Sequence, residues 1–214
     1  MPLQNRVTPE GEIVAVAARG LMMGNRGGPL HNDDKALRRR RWVSKQWICC
    51  VLDFKDRHRE VMQPGRYTEL FFLDEATALA AGHRPCFECR RQDSLWFATL
   101  WAQVAGTKTA GATGRATAPE MDDVLQTERT DANGAKIAYQ APLAELPSGA
   151  FVRIDGRPYL VLGRGLAAWT PDGYVEAESG GDRQFVDVLT PRTCVAVLAA
   201  GYCPRLHPSA SGAV

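Results

Sequence analysis

Two cysteines stand close together in His83-Arg84-Pro85-Cys86-Phe87-Glu88-Cys89-Arg90-Arg91. A Cys-x2-Cys knuckle can turn both thiolates toward one tetrahedral zinc ion. The spacing predicts that Cys86 opens a helix running to Val104, with Phe87, Leu95, Trp96, Leu100, Trp101 and Val104 at helical intervals. A helix N-terminus and the cations Arg84, Arg90 and Arg91 both favour the thiolate form. Two ordinary buried cysteines are the simpler alternative. Redox chemistry fits less well, because the Gly-Pro interior of thioredoxin-like sites is absent.

A four-ligand site needs two more donors, and the adjacent Cys49 and Cys50 are the natural source. Neighbouring strand residues point to opposite faces, so one of the pair is expected to ligate. Ile48, Cys50, Leu52 and Phe54 share a wholly apolar face, which is expected to turn inward. That favours Cys50 as third ligand, with the fourth among Cys49, His31 and His83. A closed four-ligand zinc would be structural, since catalytic zinc keeps an open position.

Other residues suggest other chemistry. Arg38, Arg39, Arg40, Arg41 and Lys45, flanked by Trp42 and Trp47, have the composition of a backbone-binding patch with aromatic platforms. Arg90 and Arg91 extend that basic character to the knuckle. The expected partner is the backbone of DNA or RNA; a solvated charged face over core tryptophans is the alternative. His31 with Asp33 and Asp34 could form an acid/base set for a metal-dependent phosphodiester hydrolase, although a polar loop explains these residues equally well. Gly24 to Gly28 matches no phosphate-loop or dinucleotide fingerprint and is expected to turn. Cys203 and His207, with Cys194 upstream, offer a less diagnostic second metal site, and Asp122, Asp123 and Glu128 are expected to face solvent.

The elements that must position these groups are legible in outline. Residues 12–18 read as a strand, and residues 46–54 and 66–73 as a hairpin around a polar turn at 55–59. Asp74 caps a short alanine-rich helix that ends at Gly82. Residues 105–118 are small and polar, and a helix is expected over 120–130. Phe151 to Leu162 reads as two strands about Asp155-Gly156. Further strands are expected at 166–170, 174–178 and 184–189, then a helix from Thr190-Pro191 to Gly201.

The 214 residues allow one full domain or two small ones. Apolar and charged fractions of 45% and 23% exclude a disordered or fibrous chain. Residues 1–110 carry 17 lysines and arginines against 12 acids, and residues 111–214 carry 9 against 12, which suggests two parts with different surfaces. No apolar run reaches membrane-spanning length, and no secretory signal is visible. A cytoplasmic setting is therefore expected, where six cysteines point to metal rather than disulfides.

The stretch Glu69-Leu-Phe-Phe-Leu-Asp-Glu-Ala-Thr-Ala-Leu-Ala-Ala-Gly-His-Arg-Pro-Cys-Phe-Glu-Cys-Arg-Arg91 resembles the second half of the metal-binding domain of the bacterial adaptive-response protein family Ada. Strand, capped alanine-rich helix, glycine and knuckle agree in order; the resemblance covers residues 66–92. It implies a small hairpin-and-helix unit around a four-cysteine zinc that touches the DNA backbone, with Cys86 and Cys89 as the second ligand pair. The family's first pair is Cys-x3-Cys, whereas this chain has adjacent Cys49-Cys50. One cysteine of that first pair accepts a methyl group from alkylated phosphate in the family, which makes Cys50 a candidate alkyl acceptor here. The family's transcription-factor and methyltransferase regions have no visible counterpart in residues 120–214. The expected fold is α+β: an Ada-like zinc unit at 10–104, a loop or linker at 105–119, and a small β-rich unit with a closing helix at 120–214. A DNA-repair role, or a protein-interaction role without nucleic acid, are the functional readings beside the hydrolase.

Overall fold

The computed structural model describes residues 1–56, 60–106, 114–163, 165–179 and 184–212. The expected turn at 55–59 and loop at 105–119 lie partly outside them. The described residues form two six-stranded sheets and four α-helices, an α+β arrangement. Among the described residues no helix is long and apolar enough to cross a membrane.

The first sheet contains β1 (Gln4–Val7), β2 (Ile13–Ala15), β3 (Met22–Asn25), β4 (Ile48–Val51), β5 (Leu70–Phe72) and β6 (Arg84–Pro85), in the order β2-β1-β5-β3-β4-β6. The expected hairpin of residues 46–54 with 66–73 does not form. β4 and β5 are separated by β3, which pairs antiparallel with both. β3 lies in the glycine-rich stretch expected to be a turn. Gly24 is there for close approach, since a Cβ would sit 2.0 Å from the Ile48 carbonyl oxygen. β1 also places the start of this sheet ahead of residue 10.

α1 (Glu75–Ala80) begins at Asp74, whose Oδ1 accepts hydrogen bonds from the Thr77 backbone N–H at 2.9 Å and the Thr77 hydroxyl at 2.8 Å. Gly82 has φ +88°, and a Cβ there would lie 2.7 Å from the Arg129 side chain. Every residue of α1 is buried. Ala78 packs with Val7, Leu70 and Phe72 of the first sheet. Ala76 and Ala80 pack with Phe151, Leu160 and Ala167 of the second. Alanine is thus a packing choice as well as a helix former: small side chains let both sheets close on one helix.

α2 spans Arg91–Ala105, so it starts after the knuckle instead of at Cys86. Pro85 lies in β6, and Cys86 to Arg90 form a turn between that strand and the helix. α3 (Ala118–Arg129) carries a capping box in which Thr117 and Glu120 satisfy each other's backbone N–H.

The second sheet contains β7 (Tyr139–Pro142), β8 (Phe151–Ile154), β9 (Arg157–Leu162), β10 (Gly165–Thr170), β11 (Gly173–Ser179) and β12 (Phe185–Val188), ordered β11-β10-β9-β8-β12-β7. Asp155 and Gly156 both have positive φ, as a two-residue hairpin turn requires. α4 (Arg192–Ala199) packs on α2. Its N-cap is Pro191; Thr190 instead accepts the Phe151 backbone N–H at 2.8 Å. One buried cluster joins Leu79, Phe97 and Trp101 to Val152, Val186 and Val197, so apolar packing crosses the expected boundary at 105–119.

Candidate metal centre

Pleating of β4 sends Cys49 and Cys50 to opposite sides. The inward side is that of Cys49: it is 0% exposed and its neighbour Trp47 is also buried. Leu52, on the face expected to turn inward, is 48% exposed. Cys50 is therefore the outward sulfur, and it is on this outer side that the knuckle arrives. The parallel pairing of β4 with β6 sets Cys49 opposite Pro85, and the Cys86 N–H donates to the Cys49 carbonyl at 2.9 Å. The turn then closes through the Arg90 N–H to the Cys86 carbonyl at 3.0 Å, bringing Cys89 back toward Cys86.

The sulfurs of Cys50, Cys86 and Cys89 all lie within 4.8 Å of one another, a grouping that could hold a metal ion. Cys86 is buried, Cys50 is largely covered within the cluster, and Cys89 is partly exposed. The Glu88 N–H points at the Cys86 sulfur at 3.4 Å. Hydrogen bonds from the Cys50 and Cys89 thiols hold Cys86 far below the usual thiol range. The same contacts to Cys86 and Cys89, with burial, push Cys50 far above it. Without an ion the three sulfurs share protons; an ion would replace those protons with metal–sulfur bonds.

None of the three residues expected to supply a fourth ligand joins this group. The Cys49 sulfur takes a long contact of 3.6 Å from Arg90 Nη1. His31 is buried elsewhere, with Nε2 3.2 Å from the Gln63 carbonyl and Nδ1 2.6 Å from the Thr68 hydroxyl. Both ring nitrogens are thus engaged, so neither is free for a metal or for acid/base work with the exposed Asp33 and Asp34. His83 Nε2 accepts from Arg26 Nε at 3.4 Å. Its ring packs against Trp47 and Phe72, with centroids 5.1 Å and 4.7 Å away.

His83 is 0% exposed, and burial followed by the charges of Arg26 and Arg129 holds its pKa well below the ordinary value. Its imidazole is therefore expected to stay neutral in the folded protein from pH 8 to pH 5.5, across the usual range near 6.5. Ring 15N shifts, assigned with a His83→Gln variant, should be flat over that interval. A midpoint near 6.5 would show that the ring is not buried among these cations.

Trp47 is a core residue and not a stacking platform. The Arg26 and Arg129 guanidinium carbons lie 4.0 Å and 3.9 Å from its ring centre. Arg38 to Arg41 and Lys45 are exposed, as is Arg91. Lys45 pairs with Asp123 at 2.7 Å across the surface. Arg40 donates to the Trp42 and Val43 carbonyls, and Arg41 to that of Arg38, contacts that shape the loop. Arg90 does not belong with them. It is buried, pairs with Glu75 Oε2 at 2.7 Å, and donates to Asp93 Oδ2 at 3.0 Å and 2.8 Å.

Glu75 also accepts the Tyr202 hydroxyl at 2.6 Å and the Arg205 backbone N–H at 2.9 Å. Burial, then the Glu75 carboxylate, raise the Tyr202 phenol far above its usual range, so it remains a donor. This network ties the residue after Cys89 to α1 and to the chain following α4. Its only signal in the sequence was an acid in the first turn of a short helix. Asp122, expected to face solvent, forms a buried bidentate pair with Arg84, and Glu128 accepts from the Thr193 N–H and hydroxyl. The less diagnostic second cysteine site does not assemble among the described residues: Cys194 is core, Cys203 is exposed, and His207 Nδ1 faces the Ser209 hydroxyl at 2.8 Å.

Compared with protein-family models, with curated proteins and with solved structures, the chain matches none.

Proposed function

We propose that this chain is a zinc-binding module of Ada-like type that binds the backbone of nucleic acid, with a role linked to DNA repair. The observation that carries the reading is the convergence of the Cys50, Cys86 and Cys89 sulfurs from a strand and a following turn. Thiolates select soft or borderline ions, and a Cys-x2-Cys turn with a backbone N–H aimed at sulfur suits zinc. Cys50, Cys86 and Cys89 would hold the ion, which would staple the end of β4 to the turn before α2.

The nucleic-acid part rests on Arg38, Arg39, Arg40, Arg41, Lys45 and Arg91, all exposed. Among the described residues no carboxylate pairs with Arg38 to Arg41. Lys45 is held by an exposed ion pair, of a kind worth about 0–1 kcal/mol, so a phosphate can compete for it. Arg91 keeps part of the basic surface beside the knuckle.

The test has two arms. Purified protein should retain zinc, and it should bind duplex DNA or RNA with a steep salt dependence. An Arg38→Ala/Arg39→Ala variant should weaken binding evenly across sequences and flatten the logarithmic salt slope by about 2. Absence of binding at about 50 mM salt would sink the nucleic-acid part.

The place of Cys50 in the sulfur cluster favours one second reading, a zinc-thiolate alkyl acceptor. The Cys50 sulfur would attack the methyl carbon of an alkylated phosphate, forming a thioether and releasing the phosphodiester anion. A methyl mass gain on Cys50 after incubation with methylated DNA would support this; an unchanged mass would remove it.

A further inference from the structure

We infer that the metal centre draws only three sulfurs from this chain and that its fourth ligand is a lighter, exchangeable donor from solution. The inference rests on the zinc-binding reading and deepens it. It departs from the closed four-ligand site expected from the sequence.

All six cysteines lie among the described residues, and three of them form the cluster. Cys49 is the neighbour of Cys50, but it hangs on the opposite face of β4. Its backbone carbonyl is fixed by the Cys86 N–H at 2.9 Å, and its strand by pairing with both β3 and β6. Bringing its sulfur outward would require a one-residue slip, which would turn Cys50 inward. One strand can present one of these sulfurs to the knuckle, not both. Cys194 is 0% exposed in the core that α4 shares with α2 and the second sheet. Cys203 sits beyond α4 and turns its sulfur toward the Gly201 carbonyl, 3.8 Å away.

Nitrogen and carboxylate donors are absent from the cluster too, among the described residues. His31, His83 and His207 have partners elsewhere, and His58 lies outside the described residues. Meanwhile Cys89 is partly exposed, so the cluster opens toward solvent on that side. Three protein ligands with an accessible remaining position is the arrangement of reactive zinc sites rather than of closed structural ones. A small thiol is the class of ligand that such a borderline-soft ion would take from solution.

X-ray absorption on the zinc-loaded full chain tests the donor set. Three sulfurs at about 2.3 Å and one nitrogen or oxygen at about 2.0–2.1 Å are expected. The cobalt-loaded chain tests exchange. Addition of 2-mercaptoethanol should raise the thiolate-to-metal absorption by about one third, the step from three sulfurs to four. Cys203→Ser and His58→Ala chains should behave as the parent does. Four sulfurs in the parent without added thiol would overturn the inference while leaving zinc binding intact. So would a light ligand that thiol cannot displace and that His58→Ala removes. A chain that retains neither zinc nor cobalt would instead overturn the zinc-binding reading itself.

Discussion

A Glu75→Ala chain is expected to lose about 3–5 kcal/mol of stability, read from urea unfolding at neutral pH. The reason is what the alanine leaves behind. Arg90 pairs with Glu75 at 2.7 Å, and both side chains are 1% exposed. Removing the carboxylate strands a guanidinium that water cannot reach. It also removes the acceptor of the Tyr202 hydroxyl and of the Arg205 backbone N–H. Asp93 remains and takes two Arg90 hydrogen bonds, but it is 30% exposed and its charge is partly screened. If Asp93 alone satisfied Arg90, the loss would fall below about 1 kcal/mol, as for an exposed pair. A Glu75→Ala/Arg90→Ala chain separates pairing from packing. Removing the stranded cation should restore part of the loss, so the double variant should be less damaged than the sum of the single ones. Simple additivity would show that the two side chains are not coupled.

The contrast between Glu75 and Cys86 marks how far the sequence could be read. The knuckle was legible because its chemistry is local: two thiols and a proline in one short stretch fix a turn. The short helix was legible for the same reason, through Asp74, its alanines and Gly82. What failed was pairing between distant segments. Gly24 reads as turn chemistry, yet it lies mid-strand because the Ile48 carbonyl must pass close by. That strand separates the two segments taken for a hairpin. Cys50 was correctly placed with the knuckle, but for the wrong reason. Apolar neighbours suggested an inward face, whereas the paired edge strand β6 drew the cluster to the outer one. Nothing local reveals a buried partner for Arg90 or Asp122, so the sequence alone leaves both facing solvent. Their partners lie on α1 and in β6, far along the chain, and only the packed structure brings each charge to its opposite.

Replacement of Cys86 by serine is expected to lower zinc affinity by more than about a hundredfold, beyond the 10–100-fold typical of losing a mere outer-shell partner. Cys86 is a buried member of the cluster, set just after β6 and approached by the Glu88 N–H. A serine hydroxyl there remains protonated and is a harder donor, so it replaces neither the charge nor the softness of the thiolate. Cys49→Ser is the matched control. It alters a thiol on the neighbouring strand and weakens the Arg90 contact, but removes no sulfur from the cluster. It should bind zinc as the parent does, at a stability cost of about 1 kcal/mol. Competition against a chromophoric chelator reads the affinities, and the thermal midpoint with and without chelator reads the linkage. The parent and Cys49→Ser should lose stability when chelated; Cys86→Ser should already sit at its chelated value. If both serine variants lost zinc equally, the loss would reflect general damage to the β4–β6 edge, and the cluster would have no special claim on the ion.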